Sequence, residues 1–140
     1  MYYKSSLTIP ANTPKSAKVY ADIQCGYGKI IKIDVGFPPG CCNLAHVALE
    51  YEGAILWPSS PDEYLAWDNY IFSWNEDFPM FVEPYILRIV GYNEDSLYEH
   101  TISVLINMLS GVNTIEDYLK RLFFMNQFVL VIFKLNIVHF

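Results

Sequence analysis

In the stretch KIIKIDVGF, residues 29–37, apolar and polar residues alternate until Pro38-Pro39-Gly40 stops the run. A period of two is the mark of a strand with one buried face, because successive side chains leave a pleated backbone on opposite sides. It predicts Ile31, Ile33, Val35 and Phe37 inward and Lys32 and Asp34 outward. The same grammar governs the first 110 residues: short apolar runs, each closed by Pro, Gly, Asn or Asp, and none with a sustained 3.6-residue period. SSLTIP reads as a short strand ahead of the turn-rich ANTPKS. AKVYADIQ alternates, with Val19, Ala21 and Ile23 on one face, until GYG breaks it. HVALEY and AILW form a hairpin around Glu52-Gly53. SSPDEYLAWDN is a long surface connection, YIFSW a strand and NEDFPMFVEP another loop. YILRIVGYN and HTISVLINML read as the last pair, linked through NEDSLYE. About eight strands at this spacing predict an all-β fold, an antiparallel β-sandwich of jelly-roll or Greek-key type.

Composition agrees. Nine Phe, eleven Tyr and three Trp suit half-buried strands and are wrong for disorder. A chain of 140 residues is expected to build a single core. The net charge of −6 is uneven: residues 1–42 carry five Lys against Asp22 and Asp34, and residues 43–110 carry eleven acids against Arg88 alone. An acidic middle argues against nucleic acid, whose phosphates need a basic footprint. It also allows the basic end of one copy to meet the acidic middle of the next, although solvated loops explain the same charges. Cys25, Cys41 and Cys42 lack metal-ligand spacing and signal no disulfide framework. MYYKSSLTIP lacks the apolar run of a secretory signal, so cytoplasmic synthesis with reduced thiols is expected.

Residues 111–140 change character. Thr114 as N-cap, Asp117 three residues on, and an apolar stripe of Ile115, Tyr118, Leu119 and Leu122 predict a helix. The closing RLFFMNQFVLVIFKLNIVHF holds fourteen apolar residues in twenty, and its end alternates like a strand. A membrane span needs roughly 20 apolar residues in a row. Here the longest uncharged stretch, 122–133, already contains Asn126 and Gln127, and Lys134 follows. A charge near the centre of a span costs about 2.5–3.5 kcal/mol, which disfavours insertion without forbidding it. The division expected is therefore a sandwich over 1–110, then a helix and apolar tail over 111–140, packing on that domain or on a neighbouring subunit. In the second case Leu122, Phe124, Phe128, Val131, Phe133, Leu135 and Ile137 would form the assembly interface.

Residues that could carry chemistry are scattered. His46 and His100 each open a predicted strand, and His139 lies far away in the tail. Gly-x-Ser-x-Gly, a phosphate-binding glycine loop and His-Glu-x-x-His are all missing. The acidic clusters Asp62-Glu63, Glu76-Asp77 and Asn93-Glu94-Asp95 lack the spacing of a calcium loop and read as solvated turns. No catalytic residue, metal or cofactor is expected. Trp57, Tyr64, Trp67, Tyr70 and Trp74 crowd into eighteen residues. Core packing is the commoner fate of such rings. The alternative is a carbohydrate site built on Trp57, Tyr64, Trp67 and Asp68, with rings stacking on a sugar and the acid holding hydroxyls.

The chain FPPGCCNLAHVALEYEGAILWPSSPDEYLAWDN, followed by YILRIVGYNEDSLYEHTISVLI, resembles the small jelly-roll proteins that tailed viruses carry on their particles: decoration, cement or appendage proteins. The resemblance covers residues 1 to about 109 and lies in size, strand rhythm and loop texture. It implies a structural, oligomeric, non-enzymatic role on a virion or other assembled particle, with copies of the chain or a larger protein scaffold as partners. The apolar tail from Ser110 onward departs from that pattern.

Overall fold

The computed structural model describes residues 1–110. Eight strands run β1 Tyr2–Ile9, β2 Val19–Gln24, β3 Gly28–Phe37, β4 Ala45–Tyr51, β5 Ala54–Trp57, β6 Tyr70–Met80, β7 Ile86–Asn93 and β8 His100–Ser110. A single 3₁₀ turn at Lys15–Ala17 is the one helical element among the described residues. The helix predicted from Thr114, and the proposed interface residues Leu122, Phe124, Phe128, Val131, Phe133, Leu135 and Ile137, lie outside the described residues.

Two four-stranded sheets form, ordered β1-β8-β3-β6 and β2-β7-β4-β5, with every pair antiparallel. The pairing is nested: β4 with β5, β3 with β6, β2 with β7 and β1 with β8. Each strand thus pairs with the one equally far from the other end, and the chain changes sheet at every connection except the β4–β5 hairpin. Alternation along the strands directs one face of each sheet into a shared core. Leu7, Ile9, Ile33, Val35, Ile102, Val104 and Ile106 come from the first sheet; Ile23, Val47, Leu49, Leu87 and Ile89 come from the second. All are at most 4% exposed, and each such aliphatic side chain contributes about 1.5–3 kcal/mol of burial. This is the architecture of an all-β sandwich.

The hairpin turn is the predicted one. Glu52 (φ 52°) and Gly53 (φ 83°) both have positive φ, the signature of a two-residue type I′ turn.

Three expectations need correction. Ile31 does not point inward; Ile30 does, at 0% exposure. The register of β3 shifts between Ile30 and Lys32 against both neighbours, β6 and β8. This irregularity makes the strict alternation of the sequence slip by one residue. Second, NEDFPM is not a loop, because β6 continues through Asn75–Met80. β6 is an edge strand, where Pro79 needs no ladder partner on its open side and charged side chains reach water. Third, YILRIVGYN and HTISVLINML do not pair. They are β7 and β8, and they lie in different sheets because NEDSLYE crosses from one layer to the other.

Candidate functional site

Glu76, Asp95 and His100, three of the polar groups that the sequence offers for chemistry, are engaged inside the fold. Glu76 lies on β6, and Trp57 ends β5; both strands are at sheet edges, one in each layer. Trp57 Nε1 donates to Glu76 Oε1 at 2.7 Å, and Trp74 Nε1 donates to the same oxygen at 2.9 Å. Phe78, two residues further along β6, meets Trp57 and Tyr51 edge-on at 5.4 and 5.2 Å. One carboxylate with two indole donors therefore latches the open side of the sandwich, where the sheets share no backbone ladder. Its neighbour Asp77 points outward and pairs with Lys29 at 2.8 Å.

The four residues of the carbohydrate expectation have different surroundings. Trp57 is 7% exposed, and its indole N–H is taken by Glu76. Tyr64 packs edge-on against Tyr92 at 5.2 Å and accepts a hydrogen bond from Lys18 Nζ at 2.9 Å. Asp68 Oδ1 accepts the backbone N–H groups of Gly40 and Cys42 at 2.8 and 3.1 Å, tying down the loop between β3 and β4. Trp67 is the most open of the three rings, at 53% exposure, next to Tyr70 at 6.3 Å. Each of the three rings has its contact with a different partner: Trp57 with Phe78, Tyr64 with Tyr92 and Trp67 with Tyr70.

On the outer side of the second sheet, His46 stacks on Tyr92, with centroids 4.4 Å apart and planes at 7°. Lys15 lies over Tyr64 at 5.2 Å, and Glu94 approaches His46 Nε2 at 3.6 Å. Burial lowers the His46 pKa, partly opposed by the Glu94 charge, so the neutral ring is favoured.

The β7–β8 crossover is the most heavily built loop. Asp95 Oδ1 accepts the N–H groups of Leu97 and Tyr98 at 2.9 and 3.2 Å. His100 Nε2 sits 2.8 Å from Asp95 Oδ2. The Leu97 N–H first, and then His100, hold the Asp95 carboxyl below the usual carboxylate range. Asn93 Nδ2 donates to the carbonyls of Ile9, Pro10 and Tyr98, and Asn93 Oδ1 accepts the N–H of Asp95. Asn12 adds its N–H to the Asp95 carbonyl and its amide to that of Ser96. Asn93, Asp95 and His100 are all at most 8% exposed. What this buried frame displays is apolar: Leu97 and Tyr98 are 76% and 67% exposed. The sequence signal for it was an Asp with a His five residues on, a spacing that no helix or strand period makes meaningful.

Cys25, Cys41 and Cys42 are free thiols. Burial pushes Cys25 and Cys41 up to about 11, which keeps both protonated and unreactive at neutral pH. Among the described residues, no group of three His, Cys, Asp or Glu is placed to hold a metal ion. Also among the described residues, no helix is long and apolar enough to cross a membrane.

Fold and surface define the class as an all-β protein of two antiparallel sheets around one core. No protein-family model matches the chain, and no curated protein matches it in sequence.

Proposed function

We propose that this chain is a non-enzymatic structural module that assembles with copies of itself, alone or on a larger scaffold such as a virion. The observation that carries the reading is a division of labour at the surface. Glu76, Asp68, Asp95 and His100 are committed to internal hydrogen bonds, whereas Tyr2, Leu97, Tyr98 and Leu109 are 57–76% exposed at the two ends of β8 and its neighbours. Large apolar side chains held out on ordered backbone are the raw material of protein contacts.

The strand order supports the same reading. We take β1-β8-β3-β6 over β2-β7-β4-β5, with its nested pairs, as a jelly roll: a long antiparallel hairpin rolled so that alternate strands fall in opposite layers. Viral capsid proteins use that wind, as do lectins and cupins, so the fold narrows the class without choosing the role. The resemblance to decoration proteins of tailed viruses agrees with it.

Light scattering on the full chain, over a wide range of concentration, tests the proposal. Species heavier than the 16.2 kDa monomer, growing with concentration, are expected. A constant monomer mass at every concentration overturns assembly of the free chain with its own copies.

A further inference from the structure

Strand β8 runs from His100 to Ser110, roughly 33 Å at the rise of an antiparallel strand. The two ends of the sandwich that it connects differ in chemistry. At its start stands the crossover knuckle, where Leu97 and Tyr98 project between the exposed acids Glu94 and Glu99. At its far end, the outer face of the first sheet collects exposed apolar and basic side chains. Tyr2 lies opposite Asn107, Lys4 opposite Leu105 and Lys29 opposite Leu109. Paired residues share a face in an antiparallel sheet, and so do residues two apart on one strand. Tyr2, Leu105 and Leu109 therefore lie on the same side as Lys4, Lys29 and Lys32, with Lys32 also opposite Asn107. Tyr2 is 66% and Leu109 57% exposed. Asp34 and Asp77 sit among them; Asp77 engages Lys29, leaving Lys4 and Lys32 against Asp34 alone.

We infer that the acidic knuckle of one copy docks on the basic, apolar patch of the next, head to tail along the direction of β8. This rests on the assembly reading above and names its partner and its surfaces: the occupant of each patch is a second copy of this chain. Charge complementarity supplies register, with Glu94 and Glu99 facing Lys4 and Lys32. Apolar contact between Leu97-Tyr98 and Tyr2-Leu109 supplies affinity, with Tyr98 a typical anchor. Because Asn93, Asp95, Asn12 and His100 hold the knuckle in one shape before contact, little conformational entropy is lost on docking. The two patches are different surfaces, so the contact is heterologous and leaves one patch of each kind unused in a pair. It generates rings or filaments, not a closed two-fold pair.

The frame that shapes the knuckle uses the backbone of Leu97 and Tyr98, so exchanging their side chains leaves it intact. Full chains carrying Leu97→Ser with Tyr98→Ser are expected to keep their thermal midpoint and to associate at least about tenfold more weakly, as loss of a hot spot does. A second set tests the pairing itself. Chains with Glu94→Lys and Glu99→Lys, and separately chains with Lys4→Glu and Lys32→Glu, are each expected to sediment as monomers, and their mixture to assemble again. Wild-type chains that assemble while all these variants assemble equally well overturn the head-to-tail contact and leave the assembly reading standing. Wild-type chains that never assemble overturn both that contact and assembly of the free chain with its own copies.

Discussion

Gly91 shows how tightly the layers meet at a single residue. A Cβ built there would stand 2.7 Å from the His46 carbonyl oxygen, 2.7 Å from Ile9 Cδ1 and 3.0 Å from Val47 Cγ1. One of these contacts is to backbone and cannot swing aside. Gly91→Ala is therefore expected to destabilise the fold by about 1–3 kcal/mol, the usual cost of overpacking, as read from urea unfolding. An unchanged midpoint would show that β4 and β7 can separate without loss. Acid acts through two other residues, with the same sign for different reasons. The folded Asp95 carboxyl lies below its unfolded pKa of about 3.9, so its contribution is complete above that pH and is lost as pH falls toward the folded value. His46 is also lowered, from 6.5, so unfolded chains bind its proton first and stability declines as pH falls below that point. The thermal midpoint should fall in two stages, below pH 6.5 and again below about 4. His46→Gln should flatten the first stage and Asp95→Asn the second; a profile unaltered by either refutes the assignment. None of this is visible in the sequence, where Gly91 is one glycine in an apolar run and Asp95 one acid in a polar one. Tertiary neighbours alone make them special.

At the scale of elements, the sequence was legible wherever local chemistry decides. The β4–β5 hairpin was readable because Glu52-Gly53 is punctuation between two apolar runs, and positive φ at both residues bears that out. Glu52 is a poor choice for its own conformation, since a left-handed backbone favours Asn or Gly. Glu52→Asn is expected to raise unfolding stability by about 0.5–1 kcal/mol in urea titration, and a loss of stability would mean that the exposed Glu52 side chain matters more than its backbone. Where a neighbour decides, the pattern misled. Ile30 and Ile31 are equally apolar, and only the register shift against β6 and β8 chooses between them. The polar half of β6 looked like a loop because alternation of buried and open residues is carried there by Trp74, Glu76 and Phe78, and an inward Glu is not read as apolar. Its two indole partners explain why it is tolerated. Nearness in sequence also groups Trp57 with Trp67, whereas β5 ends at Trp57 and turns its ring toward Glu76.

For the whole molecule, strand count and fold class could be read from rhythm, but the order of strands could not. Rhythm reports how often a chain alternates, and says nothing about which layer each run enters. Consecutive strands usually neighbour one another, and β7 followed by β8 invited that assumption. The nested order makes most pairings long-range, with β1 meeting β8 across nearly the full described length. That outermost pairing closes the longest loop in the body, the costliest in chain entropy. The same pairing governs how the fold answers force. Tyr2 lies opposite Asn107 and Ile9 opposite His100, so residues 1 and 110 emerge side by side at one end of the ladder. A load applied between them acts across the strands and opens the hydrogen bonds singly, from Tyr2 toward Ile9, as a zipper opens. A load carried between the knuckle and the Tyr2 patch runs along β8 and must break the ladder all at once. The head-to-tail contact proposed above would thus place tension on the strong direction of the sheet.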